Sequence, residues 1–221
     1  MILESILRIV FPSKCVLCGK LLQEEETDFC GQCRVEAPVC PVNSRKKLPF
    51  LDSWLGVWYY EDSVRHSLLR YKFHGKRSYA AAYGRVLAMK LQQEHPEGFD
   101  VLTWVPISGL RKFTRGYDQV ELLARVVAEE LGIPCRPLLK KVRHNKPQSG
   151  ITGDAHRRAN VLGVYRVENP EQVKDRKILL LDDIITTGAT VGECARVLLT
   201  AGAKEIHCGA VAIARREKQS R

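Results

Sequence analysis

Apolar residues along this chain come in two rhythms. Short continuous runs read as strands buried on both faces: SWLGVWYY (53–60), VLTWVP (101–106), VLGVYRV (161–167), KILLLDD (177–183) and IHCGAVAIA (206–214). Between them, residues 62–73, 76–93, 118–132 and 190–202 place apolar positions at helical spacing. Two of these helices are predicted to stop at Gly132 and Gly202, with Pro134 beyond the first. Strands alternating with helices predict an α/β fold, a parallel sheet with helices on both faces. A further amphipathic helix is expected at the start, with Ile2, Leu3, Ile6, Leu7 and Val10 on one face.

The first 45 residues break this rhythm and hold five of the eight cysteines. Cys15, Cys18, Cys30 and Cys33 form C-x2-C-x11-C-x2-C. Two such pairs close a tetrahedral thiolate site around Zn²⁺, whereas a redox dithiol needs only one pair. Four thiolates fill the coordination shell, so the predicted zinc is structural, and in so small a module it supplies folding energy. Cys40 stands outside the pairs, and Cys135, Cys194 and Cys208 are read as core or incidental thiols. The stretch PVNSRKKLPF suggests a boundary, giving a zinc module over 1–45 and an α/β domain over 46–221.

The candidate ligand site lies where the 177–183 strand ends. Asp182 and Asp183 sit there, and Thr186, Thr187, Gly188, Ala189 and Thr190 lead into the next helix. Ligands of open α/β sheets bind outside the carboxyl ends of strands, and a helix N-terminus attracts phosphate. No P-loop lysine follows, which disfavours a nucleoside triphosphatase. Two carboxylates repel a phosphate that touches them, but they suit sugar hydroxyls or the water shell of Mg²⁺. The implied ligand is a sugar with a phosphate at one end and hydroxyls along an edge.

Composition adds bounds. The chain has 221 residues, 45% hydrophobic and 27% charged, with no apolar run long enough to span a bilayer. Its start lacks the basic leader and small-residue cleavage site of a secretory signal, so a cytoplasmic location is expected, at most peripheral to the inner face of the membrane. The net charge is +10, and the first 45 residues contribute none of the excess. Segments 65–77, 111–115 and 140–158 together carry +13. Arg70, Lys72, Lys76, Arg77, Arg143 and Arg157 are thus candidates to track a nucleic-acid backbone, with Tyr71 to stack a base. Solvated helix faces account equally for such charge, and Tyr71 and Phe73 are equally readable as core.

ILLLDDIITTGAT resembles the PRPP-binding motif of type I phosphoribosyltransferases. VPISGLRKFTRGYDQVELLA (105–124) is similar to a segment of ComF-type proteins. It matches at Val105, Pro106, Arg111, Arg115, Gly116, Gln119, Leu123 and Ala124, with Tyr117 and Asp118 in place of the usual Phe and Asn. YKFHGKR resembles the same family through Lys72 and Gly75, the 143–163 segment does so through Arg143, Gln148, Arg157, Asn160 and Gly163, and the cysteine pairs belong to its pattern. The resemblance implies a type I phosphoribosyltransferase-like parallel sheet with flanking helices and a small N-terminal zinc module of four cysteines. It implies that Asp182 and Asp183 hold the ribose hydroxyls, that 186–190 hold the 5-phosphate, and that Mg²⁺ bridges ribose and pyrophosphate. Arg111 and Arg115 are candidates for the leaving pyrophosphate. It also implies a role in natural transformation, on incoming single-stranded DNA beside a helicase-like partner of the ComFA type. Two function classes stay open: a phosphoribosyltransferase with an unidentified acceptor, and a PRPP-binding scaffold that handles single-stranded DNA.

Overall fold

The computed structural model describes residues 13–41, 47–109, 113–114, 116–143 and 160–215. The expected first helix lies outside them. After a short helix α1 (Gly31–Glu36) come β1 (Ser53–Tyr59), α2 (Asp62–Phe73), α3 (Tyr79–Glu94), β2 (Val101–Trp104) and α4 (Gln119–Leu131). There follow β3 (Leu139–Lys141), β4 (Tyr165–Val167), β5 (Lys177–Ile185), α5 (Ala189–Thr200) and β6 (Glu205–Ile213).

Four strands make a parallel sheet in the order β1-β6-β5-β2. Side chains alternate across it. Leu179, Leu181 and Val211 pack on one side with residues of α3 and α4, while Ile178, Leu180 and Ala210 pack on the other with α5. Burial on both faces explains why β5 and β6 read as near-continuous apolar runs. In α3, Gly84 lies so close to Val126 of α4 that a β-carbon would collide with it, so the two helices pack almost backbone to side chain. No described helix is long and apolar enough to cross a membrane.

The expected strand over 161–167 is corrected. Only Tyr165–Val167 is extended, because Gly163 turns the chain at φ +68° just before it. That short strand pairs antiparallel with β3, outside the main sheet. Strand β5 also runs two residues past the acidic pair, to Ile185.

The cysteine-bearing segment is docked on the α/β body. Pro38 and Cys40 exchange main-chain hydrogen bonds with Tyr59 and Val57 of β1. Cys15, Val16, Leu17, Cys30 and Cys33 belong to the same buried cluster as Trp58, Tyr71 and Tyr83. Phe29 meets Trp58 edge to face at 5.6 Å, and Arg85 pairs with Asp28 at 2.7 Å. Helix α2 is the main bracket. Its Ser67 hydroxyl donates to the Val16 carbonyl, and Arg70 Nη2 donates to the carbonyls of Val16 and Leu17 at 3.0 and 2.7 Å.

Candidate functional site

The carboxyl end of β5 carries the site, and strand alternation divides the acidic pair. Asp182 lies half-buried beside Ile184, Ile185, Thr186, Thr187, Gly188, Ala189, Thr190 and Val191, which together line an open recess with about 230 Å³ of empty space. Asp183, buried, points to the opposite face. There Lys72 Nζ sits 2.8 Å from its Oδ1, and Gln119 Nε2 donates to its Oδ2 at 3.0 Å. Burial first and the neighbouring Asp183 charge second push the Asp182 carboxyl far above the usual carboxylate range. Asp182 alone of the pair offers hard carboxylate oxygens to the recess, a donor type that suits Mg²⁺, while both Asp183 oxygens are engaged on the other face.

The loop is shaped by Gly188. It caps α5 in the left-handed region, at φ +79°, where a β-carbon costs energy. Leu48, from the segment before β1, packs directly over it. Thr187 Oγ1 accepts the Ala189 N–H at 3.3 Å and stiffens the turn.

Helix α4 is fixed by the two residues that depart from the family pattern. Asp118 caps it, accepting from the N–H groups of Val120 and Glu121, and also from Ile107 N–H at 3.3 Å. Asn serves the same capping role, which accounts for the exchange. The Tyr117 hydroxyl donates to the Tyr71 carbonyl, a bond that Phe lacks.

Among the predicted nucleic-acid contacts, Tyr71 is corrected. It is 0% exposed, its hydroxyl donates to the Gln119 carbonyl, and its ring packs on Tyr83, so it cannot stack a base. Arg70 is engaged by the cysteine knuckle, and Lys72 by Asp183. Lys76, Arg77 and Arg143 are exposed, and Arg77 lies 4.6 Å over the Tyr117 ring. The exposed aromatic of this stretch is Phe73, at 62%. Arg111, Arg115 and Arg157 lie outside the described residues.

Sequence reasoning missed three members of the site. Gln119 appeared only as a motif match, Lys72 was assigned to nucleic acid, and Leu48 carried no signal.

The sulfurs of Cys15, Cys18, Cys30 and Cys33 all lie within 4.8 Å of one another, an arrangement able to hold a metal ion. Burial acts to raise the Cys15 thiol, but the main-chain N–H groups of Cys18, Cys30 and Leu17 bring it down to about 7. Amide donors aimed at a sulfur favour the thiolate a metal needs. Cys40 is buried away from this group.

Residues 121–221 match the phosphoribosyl transferase domain. Fold and site define the class: a phosphoribosyltransferase-type α/β domain with a cysteine cluster docked on it. Competence protein F of Haemophilus influenzae is 28% identical over 205 residues, covering 87% of this chain and 86% of that protein. Competence protein ComFC of Streptococcus pneumoniae is 28% identical over 228 residues, covering 87% and 96%. The chain is thus similar to these competence proteins over most of its length. DNA utilization protein YhgH of Salmonella typhi is 28% identical over 200 residues, covering 87% of this chain and 86% of its own. Among solved structures, the B. subtilis glutamine phosphoribosylpyrophosphate amidotransferase complexed with ADP and GMP is 24% identical with a TM-score of 0.43. That match covers 65% of this chain and 30% of the amidotransferase chain.

Proposed function

We propose that this protein binds PRPP at the turn between β5 and α5 and handles single-stranded DNA during DNA uptake, in the cytoplasm, beside a helicase-like partner. The observation that carries the PRPP reading is the recess itself: Asp182 at the strand end faces the 186–190 loop at a helix N-terminus. The loop's amides and hydroxyls suit the 5-phosphate, and the carboxylates suit the ribose hydroxyls. Mg²⁺, when bound, supplies charge neutralisation between ribose and pyrophosphate. Arg111 and Arg115 are assigned to the pyrophosphate.

The DNA reading rests on the relatives named for competence and DNA utilization, and on the exposed Lys76, Arg77, Arg143 and Phe73. We assign Zn²⁺ to Cys15, Cys18, Cys30 and Cys33, with residues 1–45 as its module and 46–221 as the α/β domain.

Calorimetric titration of PRPP with Mg²⁺ tests the first part. Binding to the wild type that is lost in Thr187→Val/Thr190→Val supports it, and equal binding by both rejects it. A pyrophosphate-release assay with candidate acceptors, DNA ends included, separates a PRPP-binding scaffold from an active transferase.

A further inference from the structure

We propose that Ser53, His95 and His207 share one extra proton at neutral pH, which makes the amino-terminal end of the sheet a pH-dependent clamp on helix α3.

The three residues meet at the end of the sheet opposite the recess. Ser53 opens β1 and pairs in register with His207 of β6. His95 caps α3, its main-chain N–H donating to the Leu91 carbonyl. Ser53 Oγ lies 2.9 Å from His95 Nε2 and 2.8 Å from His207 Nδ1. Each outer ring nitrogen faces a carboxylate: His95 Nδ1 is 3.2 Å from Glu97 Oε1, and His207 Nε2 is 3.3 Å from Glu205 Oε2. The His95 and His207 side chains are 14% and 9% exposed, and the Phe99 ring packs on both.

A count of donors and acceptors leads to the proton. Glu97 and Glu205 are ionised at neutral pH. Lys177 Nζ, 2.6 Å from Glu97 Oε1, is the main cause that holds Glu97 down at about 2, and the His207 contact lowers Glu205. An ionised carboxylate only accepts, so each outer nitrogen carries a hydrogen. If both imidazoles are neutral, both inner nitrogens are bare acceptors, and Ser53 has one hydroxyl hydrogen for the two. One acceptor is then left without a donor in a poorly hydrated place. One added proton completes the chain Glu97–His95–Ser53–His207–Glu205, with one hydrogen in every contact.

Burial is the first cause that pushes His207 down, and the charges of His95 and Lys177 act the same way against Glu205 and Asp52. The added proton therefore lies on the His95 side of the serine. A second proton leaves the Ser53 hydrogen without an acceptor in the chain and sets two cations together, with ring centroids 4.7 Å apart. Lys204, 3.7 Å from Glu205 Oε1, adds a further positive charge on that side. The two imidazoles thus titrate as a pair, the first proton held above the ordinary value of about 6.5 and the second below it. The first proton stabilises the fold below about pH 6.5, and that contribution is lost as pH rises through the upper value of the pair. The clamp between α3, β1 and β6 loosens accordingly on the alkaline side.

The test is imidazole nitrogen NMR between pH 5 and pH 9 on the ¹⁵N-labelled full chain, as wild type, Glu205→Gln and Ser53→Ala. His95→Gln and His207→Gln assign the signals. At pH 7.5 the wild type should show one imidazole of the pair protonated on both nitrogens and His207 protonated on Nε2 alone. A Gln amide can donate to His207 Nε2, so Glu205→Gln allows a complete network with no added proton. Its upper pKa should fall by about one unit, a tenfold weaker hold on the proton, and His207 should switch to the Nδ1–H form. Loss of a nearby negative charge alone would lower the pKa without the switch. Ser53→Ala removes the shared oxygen and should bring the upper value back towards about 6.5. Two neutral imidazoles in the wild type at pH 7.5 overturn the proposal, as does a His207 that keeps its hydrogen on Nε2 in Glu205→Gln. Should Ser53→Ala fail to fold, Glu205→Gln still decides, because its side chain is one-third exposed.

Discussion

Leu48 lies on Gly188: a β-carbon built on the glycine would fall 2.6 Å from Leu48 Cδ2. A residue from the segment before β1 thus closes over the turn that caps α5, and two separate constraints meet there. Gly188→Ala must place a side chain at φ +79° and must also displace Leu48. The left-handed conformation alone costs about 1–2 kcal/mol. Gly188→Ala should lower the melting temperature and weaken PRPP binding, and adding Leu48→Ala should recover only the steric part. Full recovery in the double variant would show that backbone conformation is not limiting at this turn.

The cysteine cluster and α2 make a second prediction. Cys18→Ser should lose the bound metal, while Cys40→Ser should keep it, because Cys40 is outside the group of four. Chelation of the metal should lower the melting temperature of the whole protein, since Cys15, Cys30 and Cys33 share a buried cluster with Trp58 and Tyr83. Arg70→Met should destabilise as well, by about 1–3 kcal/mol, through the loss of charged donors to two main-chain carbonyls. Metal analysis and scanning calorimetry check these outcomes. A chelated protein that melts like the metal-loaded one would disprove the shared core.

Tyr71 and Phe73 show how much was legible. Val64, Ser67, Leu68 and Tyr71 are the buried positions of α2, the i, i+3, i+4, i+7 set of a helix. That period was readable and assigns Tyr71 to the core, with Phe73 outside. The parallel sheet was equally plain, because β5 and β6 are apolar on both faces. The short β3, with sequence LKK, left no apolar run to detect. The Lys72–Asp183 pair was illegible for another reason. It depends on α2 crossing near the end of β5, and no local pattern records which distant carboxylate a lysine will meet.

Asp182 gives a pH dependence. Its carboxyl is raised from the ordinary 3.8 to about 8 by burial, with Asp183 adding to the effect and Lys72 opposing it. The folded state therefore holds this proton more tightly than the unfolded state. The contribution to stability is fully present below the unfolded value and is lost as pH rises through the folded one. Asp182→Asn mimics the protonated form, so its melting temperature relative to wild type should climb between about pH 4 and about pH 8. Parallel melts across that range decide it, and a difference that stays constant with pH would refute the raised carboxyl.

Single-stranded DNA should bind the surface that carries Lys76, Arg77 and Phe73, with little sequence preference. These side chains are exposed on and just after the end of α2, whereas Arg70 and Lys72 are engaged within the protein. Binding through phosphates releases counterions, so log K should fall with log[salt] by roughly 0.7 per phosphate contacted. Lys76→Ala/Arg77→Ala should flatten that slope and weaken all sequences alike, because backbone contacts carry no sequence information. Phe73→Ala should cost about 1–3 kcal/mol with no change of slope if the ring stacks on a base. Tyr71→Ala should act differently, lowering stability through the loss of a buried aromatic by about 3–5 kcal/mol. Fluorescence anisotropy with labelled oligonucleotides at several salt concentrations distinguishes these effects. Binding that persists with the same slope after the Lys76 and Arg77 charges are removed would place the DNA elsewhere on the protein.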